Sequence, residues 1–258
     1  MNVKNLIAAL LLVFACLQTA WAQKVVLYVA GNQAYECSVS QLDSIVFVGT
    51  EPIIVGEHEW VDLGLPSRTL WATCNVGANS PEEYGYYFAW GETENDKSEK
   101  GDFTWATYKL CNGSSNSLTK YCASNSYGTV DNKLELEAED DAATVHWGNM
   151  WQTPSLAQQD ELCCECDWIW TMQSGVNGYL VKSKSNGNSI FMPAAGSLWP
   201  SSIFPVGEYG CYWSRSYRAG LFDDHALYLN FNSSSISPDY YYANGRCAGQ
   251  SVRPVRKK

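Results

Sequence analysis

His58, His146 and His225 are the only imidazoles in the chain. None of them sits at a recognisable metal-ligand spacing. His225 follows Asp223 and Asp224, so a His–Asp pair is at hand. A triad would also need a nucleophile brought up from elsewhere in the fold, and no G-x-S-x-G elbow is present to supply one. Cys163, Cys164 and Cys166 crowd one short segment. At helical spacing Cys163 and Cys166 share a face with Leu162, while Cys164 points about 100° away. That arrangement favours thiols packed as small hydrophobes over thiols converging on a metal. Cys111 and Cys122 flank a polar stretch and form the candidate local disulfide.

Oxygen-bearing side chains cluster in three places. Glu137, Glu139, Asp140 and Asp141 form one group, and Asp223, Asp224, Asn230 and Asn232 a second. Hard cations take several oxygen ligands, so the second group supplies the calcium candidates, calcium being the one cofactor that these residues suggest. A helix N-terminus explains the first group and solvated loops the second without any ion, and that reading is preferred. The third place is Asp239, Tyr240, Tyr241, Tyr242 and Asn244, expected in a loop between the last two strands. Neighbouring residues on a strand alternate sides, so three consecutive tyrosines cannot all face inward. Exposed Tyr beside Asn and Asp is suited to stacking on a sugar or anchoring a protein contact, which makes these the candidate ligand-binding residues. Trp213 reads as core.

Positioning these groups requires elements that the sequence announces locally. Ser155 and Gln158 make an S-x-x-Q capping box, and Gln159, Leu162, Cys163 and Cys166 follow on one helical face. A shorter helix is expected from Asp140 to Trp147. Beyond it the period changes to two. Residues 178–182 and 189–192 flank the Asn186-Gly187-Asn188 turn and predict a hairpin. Residues 212–214, 226–231 and 251–255 read as later strands, with Pro254 at an edge or strand end. Upstream, residues 24–30, 37–39 and 44–48 suggest a small separate β unit.

The first residues have the three parts of an export signal: Lys4, an uncharged run from Leu6 to Leu17, and Ala20-Trp21-Ala22. That run is too short for a transmembrane helix. The expected division is 1–22 signal peptide, 23–49 small N-terminal β unit, 50–59 linker and 60–258 main domain. Cleavage after Ala22 is favoured, with a lipid anchor on Cys16 as the alternative. The chain carries 27 acidic against 17 basic residues and a net charge of −10. That balance argues against nucleic acid or anionic lipid as partners. Export would permit disulfides among its ten cysteines, and removing Cys16 with the signal leaves an odd number.

Several longer stretches are informative together. EWVDLGLPSRTLWATCNVGANSPEEYGYYFAWGE, EDDAATVHWGNMWQTPS, NGYLVKSKSNGNSIFMPAAG, CYWSRS and GQSVRPV occur in this order between about residues 58 and 256. In that order they resemble the Fibrobacter succinogenes major paralogous domain family of exported bacterial proteins. The resemblance implies an α+β, C-type-lectin-like fold: a twisted antiparallel sheet with two flanking helices and long loops, here preceded by the small β unit. It also implies kinship with formylglycine-generating enzymes, which use a cysteine pair near the C-terminus. Cys211 and Cys247 do not keep that pattern. The expectation is therefore a non-catalytic binding module, secreted, periplasmic or on the outer-membrane surface, whose partner is a glycan or a surface protein. A structural or assembly role for the N-terminal strands is the alternative, and a formylglycine-generating type of enzyme the second alternative.

Overall fold

The computed structural model describes residues 24–29, 32–38, 58–217, 222–238 and 244–257. The expected signal peptide with Cys16 and Ala22, the strand at 44–48, most of the linker and residues 239–242 lie outside the described residues. The chain divides into two units, Met1–Glu57 and His58–Lys258. In the first, β1 (Lys24–Val29) and β2 (Asn32–Ser38) pair antiparallel, with an irregularity in register between Leu27 and Tyr28.

The second unit is α+β, built from small antiparallel sheets and two short helices. β3 (Trp60–Asp62) and β4 (Thr69–Ala72) open it. A long irregular stretch follows and leads into α1 (Ala142–Trp147). This helix starts two residues later than expected, because Ala138–Asp140 forms a tight 3-10 turn first. The buried Asp141 then caps it, its carboxylate accepting from the Ala143 and Thr144 amides. α2 (Leu156–Glu165) begins at the predicted capping box. Ser155 Oγ accepts from the Gln158 amide at 3.3 Å, and Gln158 Oε1 accepts from the Ser155 amide at 2.9 Å.

At the other end of α2 the expectation fails. Cys166 lies in extended backbone and opens β5 (Cys166–Gln173), so it does not share the face of the helix. The segment CDWIWTMQ alternates, and Trp168 and Trp170 turn toward the core while Asp167 and Ile169 face out. Aromatic residues at period two outweigh the continuing helical pattern of the thiols. Cys166 is nevertheless buried in the core, Cys163 packs against it, and Cys164 is exposed.

β5 pairs with β6 (Val176–Ser183), and β6 with β7 (Ser189–Pro193), the latter around the predicted Asn-Gly-Asn turn. β8 (Tyr209–Trp213) and β10 (Tyr228–Asn232) pair antiparallel, and β11 (Ser235–Pro238) completes that sheet. β9 (His225–Ala226) pairs with β12 (Asn244–Gly245). β13 (Val255–Lys257) pairs with β4. One core cluster joins Leu63, Trp71, Leu162, Tyr179, Met192, Tyr212, Leu229 and Phe231, and a second gathers around Trp90, Trp213 and Tyr228. Trp213 is fully buried, and its indole donates to the Phe88 carbonyl at 2.7 Å. Two arginines lie in the interior. Arg246 stacks between Trp90 and Tyr217, and Arg253 donates to Asn75 Oδ1 and to the Ala72 and Thr73 carbonyls. No helix among the described residues is long and apolar enough to cross a membrane.

Candidate functional site: a polar cleft beside Trp170

The first core cluster reaches the surface at one end of β10. Phe231 lies directly across from Gly210, and its ring occupies the space that a side chain there would need: a Cβ on Gly210 would lie 2.0 Å from Phe231 Cζ. The ring in turn supports Tyr179 and Trp170, each in an edge-on contact. Trp170 also packs edge-on against Tyr179, at 5.1 Å between centroids. The Tyr179 hydroxyl donates to the Asn232 carbonyl at 2.9 Å and ties this aromatic stack to the β10–β11 turn.

Around Trp170 opens a cleft of about 450 Å3, lined by Asn177, Gly207, Glu208, Tyr209 and Asn232 to Ser235. This volume lies in the range of small-molecule sites, about 300–1,000 Å3. Short hydrogen-bonded turns hold its walls. Asn177 Nδ2 donates to the Gly207 carbonyl at 3.0 Å. Asn232 Oδ1 accepts from the Ser234 and Ser235 amides and from Ser235 Oγ, which shapes the turn. The Tyr209 ring rests edge-on against Phe204. Other polar groups of the lining are uncommitted: the Trp170 indole nitrogen, the Glu208 carboxylate, the Tyr209 hydroxyl and the hydroxyls of Ser233 and Ser234 have no protein hydrogen-bond partner among the described residues. An aromatic ring beside several unpaired donors and acceptors is equipped to bind a hydroxylated ligand.

Of the described residues singled out by sequence, only Asn232 lines the cleft. Asp239, Tyr240, Tyr241 and Tyr242 are outside the described residues, and Asn244 stands in β12 opposite Ala226. Pro238, which precedes the tyrosines, pairs with Leu229 at the end of β11 away from the cleft. The four calcium candidates serve four different partners. Asp223 is buried and accepts from the Ala123 and Ser124 amides at 2.7 Å each. Asp224 meets His225 Nδ1 at 2.8 Å, Asn230 donates to Cys211 Sγ, and Asn232 braces its own turn. Of the four, only Asn232 lines the cleft.

The other acidic group does converge, but on an ammonium. Lys120 Nζ lies 2.8 Å from Glu137, 2.8 Å from Glu139 and 2.5 Å from Asp140, and Lys133 reaches Glu137 at 2.7 Å. The Tyr121 hydroxyl closes the cluster by donating to Asp140. Hydrogen bonds from Lys120 and then Lys133 hold the Glu137 carboxyl well down, at about 2. Burial works against the Lys120 charge, yet its bonds to Asp140, Glu137 and Glu139 prevail and raise its pKa.

The cysteines also differ from expectation. Cys111 and Cys122 are free thiols here. Cys111 bridges across the loop to Leu118, so the residue opposite it is not Cys122. Its thiol donates to the Trp105 carbonyl at 3.2 Å, whereas the Cys122 thiol donates to the Ser124 carbonyl at 3.0 Å. Cys211 and Cys247 occupy different core clusters, and burial pushes both thiols up to about 12. A thiol kept protonated in this way is a poor nucleophile. No hydroxyl or thiol bonds the second ring nitrogen of His225 among the described residues.

Trp170, Glu208 and Tyr209 are not singled out by sequence: Trp170 lies beyond Cys166, the last residue of the expected helical face, Glu208 sits in a turn and Tyr209 opens β8. The WIW alternation is the signal that finds Trp170. Compared with known proteins, the chain matches no family profile, no curated protein and no solved structure.

Proposed function

We propose that this chain is an exported, non-catalytic binding module of C-type-lectin-like fold that holds carbohydrate in the Trp170 cleft. The single observation that carries the reading is the cleft itself, where an aromatic ring and several uncommitted polar groups face one recess. Sugar recognition needs that combination, a ring to stack on and directional groups for the hydroxyls. The leader-like run from Leu6 to Leu17 and the resemblance to an exported domain family support a site of action at the cell envelope. The absence of a poised nucleophile around His225 among the described residues, and the buried thiols of Cys211 and Cys247, support a role in binding over catalysis.

Titration of the purified chain against an oligosaccharide panel tests the proposal. At least one member should bind, and Trp170→Ala should weaken it by about tenfold, the scale of one lost aromatic contact in a desolvated site. Trp170→Phe should recover part of the loss, and circular dichroism should stay native for both variants. If no saccharide binds, or if Trp170→Ala binds as well as the parent, the reading is wrong.

One observation favours a protein partner as a second reading. β5 is an edge strand of its sheet, and it exposes Ile169 and Met172. Edges of this kind accept an added strand. Ile169→Asp should then release a partner protein without affecting saccharide binding.

A further inference from the structure

The lining of the cleft carries a charge asymmetry. Glu208 contributes a solvent-exposed carboxylate with no hydrogen bond or ion pair among the described residues. No Lys, Arg or His is among the lining residues. Trp170 and Tyr209 bring two aromatic rings into the same lining. Aromatic faces attract an ammonium through the ring quadrupole, Trp most strongly, and a carboxylate completes the pair through a charge-assisted hydrogen bond. An anionic sugar would place like charges together. A neutral sugar would offer the carboxylate hydroxyl hydrogen bonds alone, without the charge that strengthens them.

We infer that the ligand of this cleft is an amino-sugar oligosaccharide carrying a protonated amine, a refinement that rests on the carbohydrate reading above. Glu208 takes the ammonium, Trp170 carries the apolar face of the ring, and the hydroxyls of Tyr209, Ser233 and Ser234 meet the sugar hydroxyls. The hydroxyl-rich rim favours a saccharide over a lysine-bearing peptide, which would leave those groups unpaired.

The test uses the full chain and isothermal titration with three probes: a β-1,4-linked glucosamine tetramer, its fully N-acetylated counterpart and a lysine-containing pentapeptide. The glucosamine tetramer should bind at least tenfold more tightly than the acetylated one, and its affinity should fall with added salt. Glu208→Gln should remove about tenfold of that affinity and so narrow the gap between the two tetramers. Glu208 lies in an exposed turn, so thermal melting of E208Q should match the parent. Equal binding of both tetramers, with E208Q silent and Trp170→Ala still damaging, overturns this inference while the carbohydrate reading stands. Failure of both tetramers and of a wider neutral panel to bind removes the carbohydrate reading itself. Glu208-dependent capture of the pentapeptide alone overturns the amino-sugar assignment.

Discussion

Two polar regions of this domain look alike in composition and behave in opposite ways. Around Lys120, three carboxylates and a tyrosine hydroxyl enclose one ammonium. Around Trp170, a carboxylate, hydroxyls and amides surround open space. The first region pairs its charged groups with one another within the fold, so they serve cohesion. The second keeps a carboxylate and hydroxyls that no neighbour among the described residues uses. Density of acidic residues therefore misleads as a marker of a binding site here, and the better marker is what remains unpaired once the chain has folded.

The contrast can be broken most forcefully from beneath the cleft. Gly210→Ala drives a methyl into the Phe231 ring, on which Trp170 leans, and should cost about 3 kcal/mol, at the upper end for overpacking. Urea titration should show this loss, and saccharide affinity should fall with it. Lys120→Met attacks the other region. It leaves Asp140 without its cation and Glu137 with Lys133 alone, and should cost about 1–2 kcal/mol, a figure held down by partial solvation. Saccharide affinity should not change. If it does, the two regions are coupled and the contrast fails.

Acid sharpens the same comparison more gently. The carboxyl of Glu137 is depressed in the fold from 4.5 to about 2. Its stabilising contribution is therefore complete above the unfolded value and is lost as pH falls from about 4.5 toward 2. Melting temperature should drop across that window, and Glu137→Gln should flatten part of the drop. The smallest effect concerns thiols. Cys164 is exposed and should alkylate in the native protein, whereas Cys211 and Cys247 should react only after unfolding. Labelling followed by mass spectrometry reads this directly. Under non-reducing denaturation Cys111 and Cys122 should also take label, and a Cys111–Cys122 disulfide in that digest would contradict the arrangement described.

Local chemistry was legible in advance where it was self-contained. The Ser155–Gln158 box needs only four residues, and the Asn186-Gly187-Asn188 turn only its flanking strands. Both formed as read, and the helix before Trp147 differs only in its first turn. The α+β class was legible too, whereas the start of β5 was not, because two cysteines, a leucine and a glutamine at helical spacing masked the alternation that begins at Cys166. The cleft was harder still. It combines residues 170, 177, 207–209 and 232–235, and nothing local indicates that these four segments meet. Lys120 illustrates the same difficulty: it answers carboxylates 17 to 20 positions away, so the acidic run looks unpaired in one dimension.

The pairing of β4 with both β3 and β13 has a mechanical consequence. Trp60 stands opposite Ala72, at one end of β4, and Lys257 opposite Thr69, at the other. β3 and β13 are both antiparallel to β4 and therefore run in the same direction on either side of it. Tension applied to the two ends of the domain would pull these outer strands lengthwise in opposite senses. Such a load shears every rung of the ladder at once and does not peel the rungs off in turn. A domain tethered at both ends and exposed to flow would meet that force with its strongest geometry.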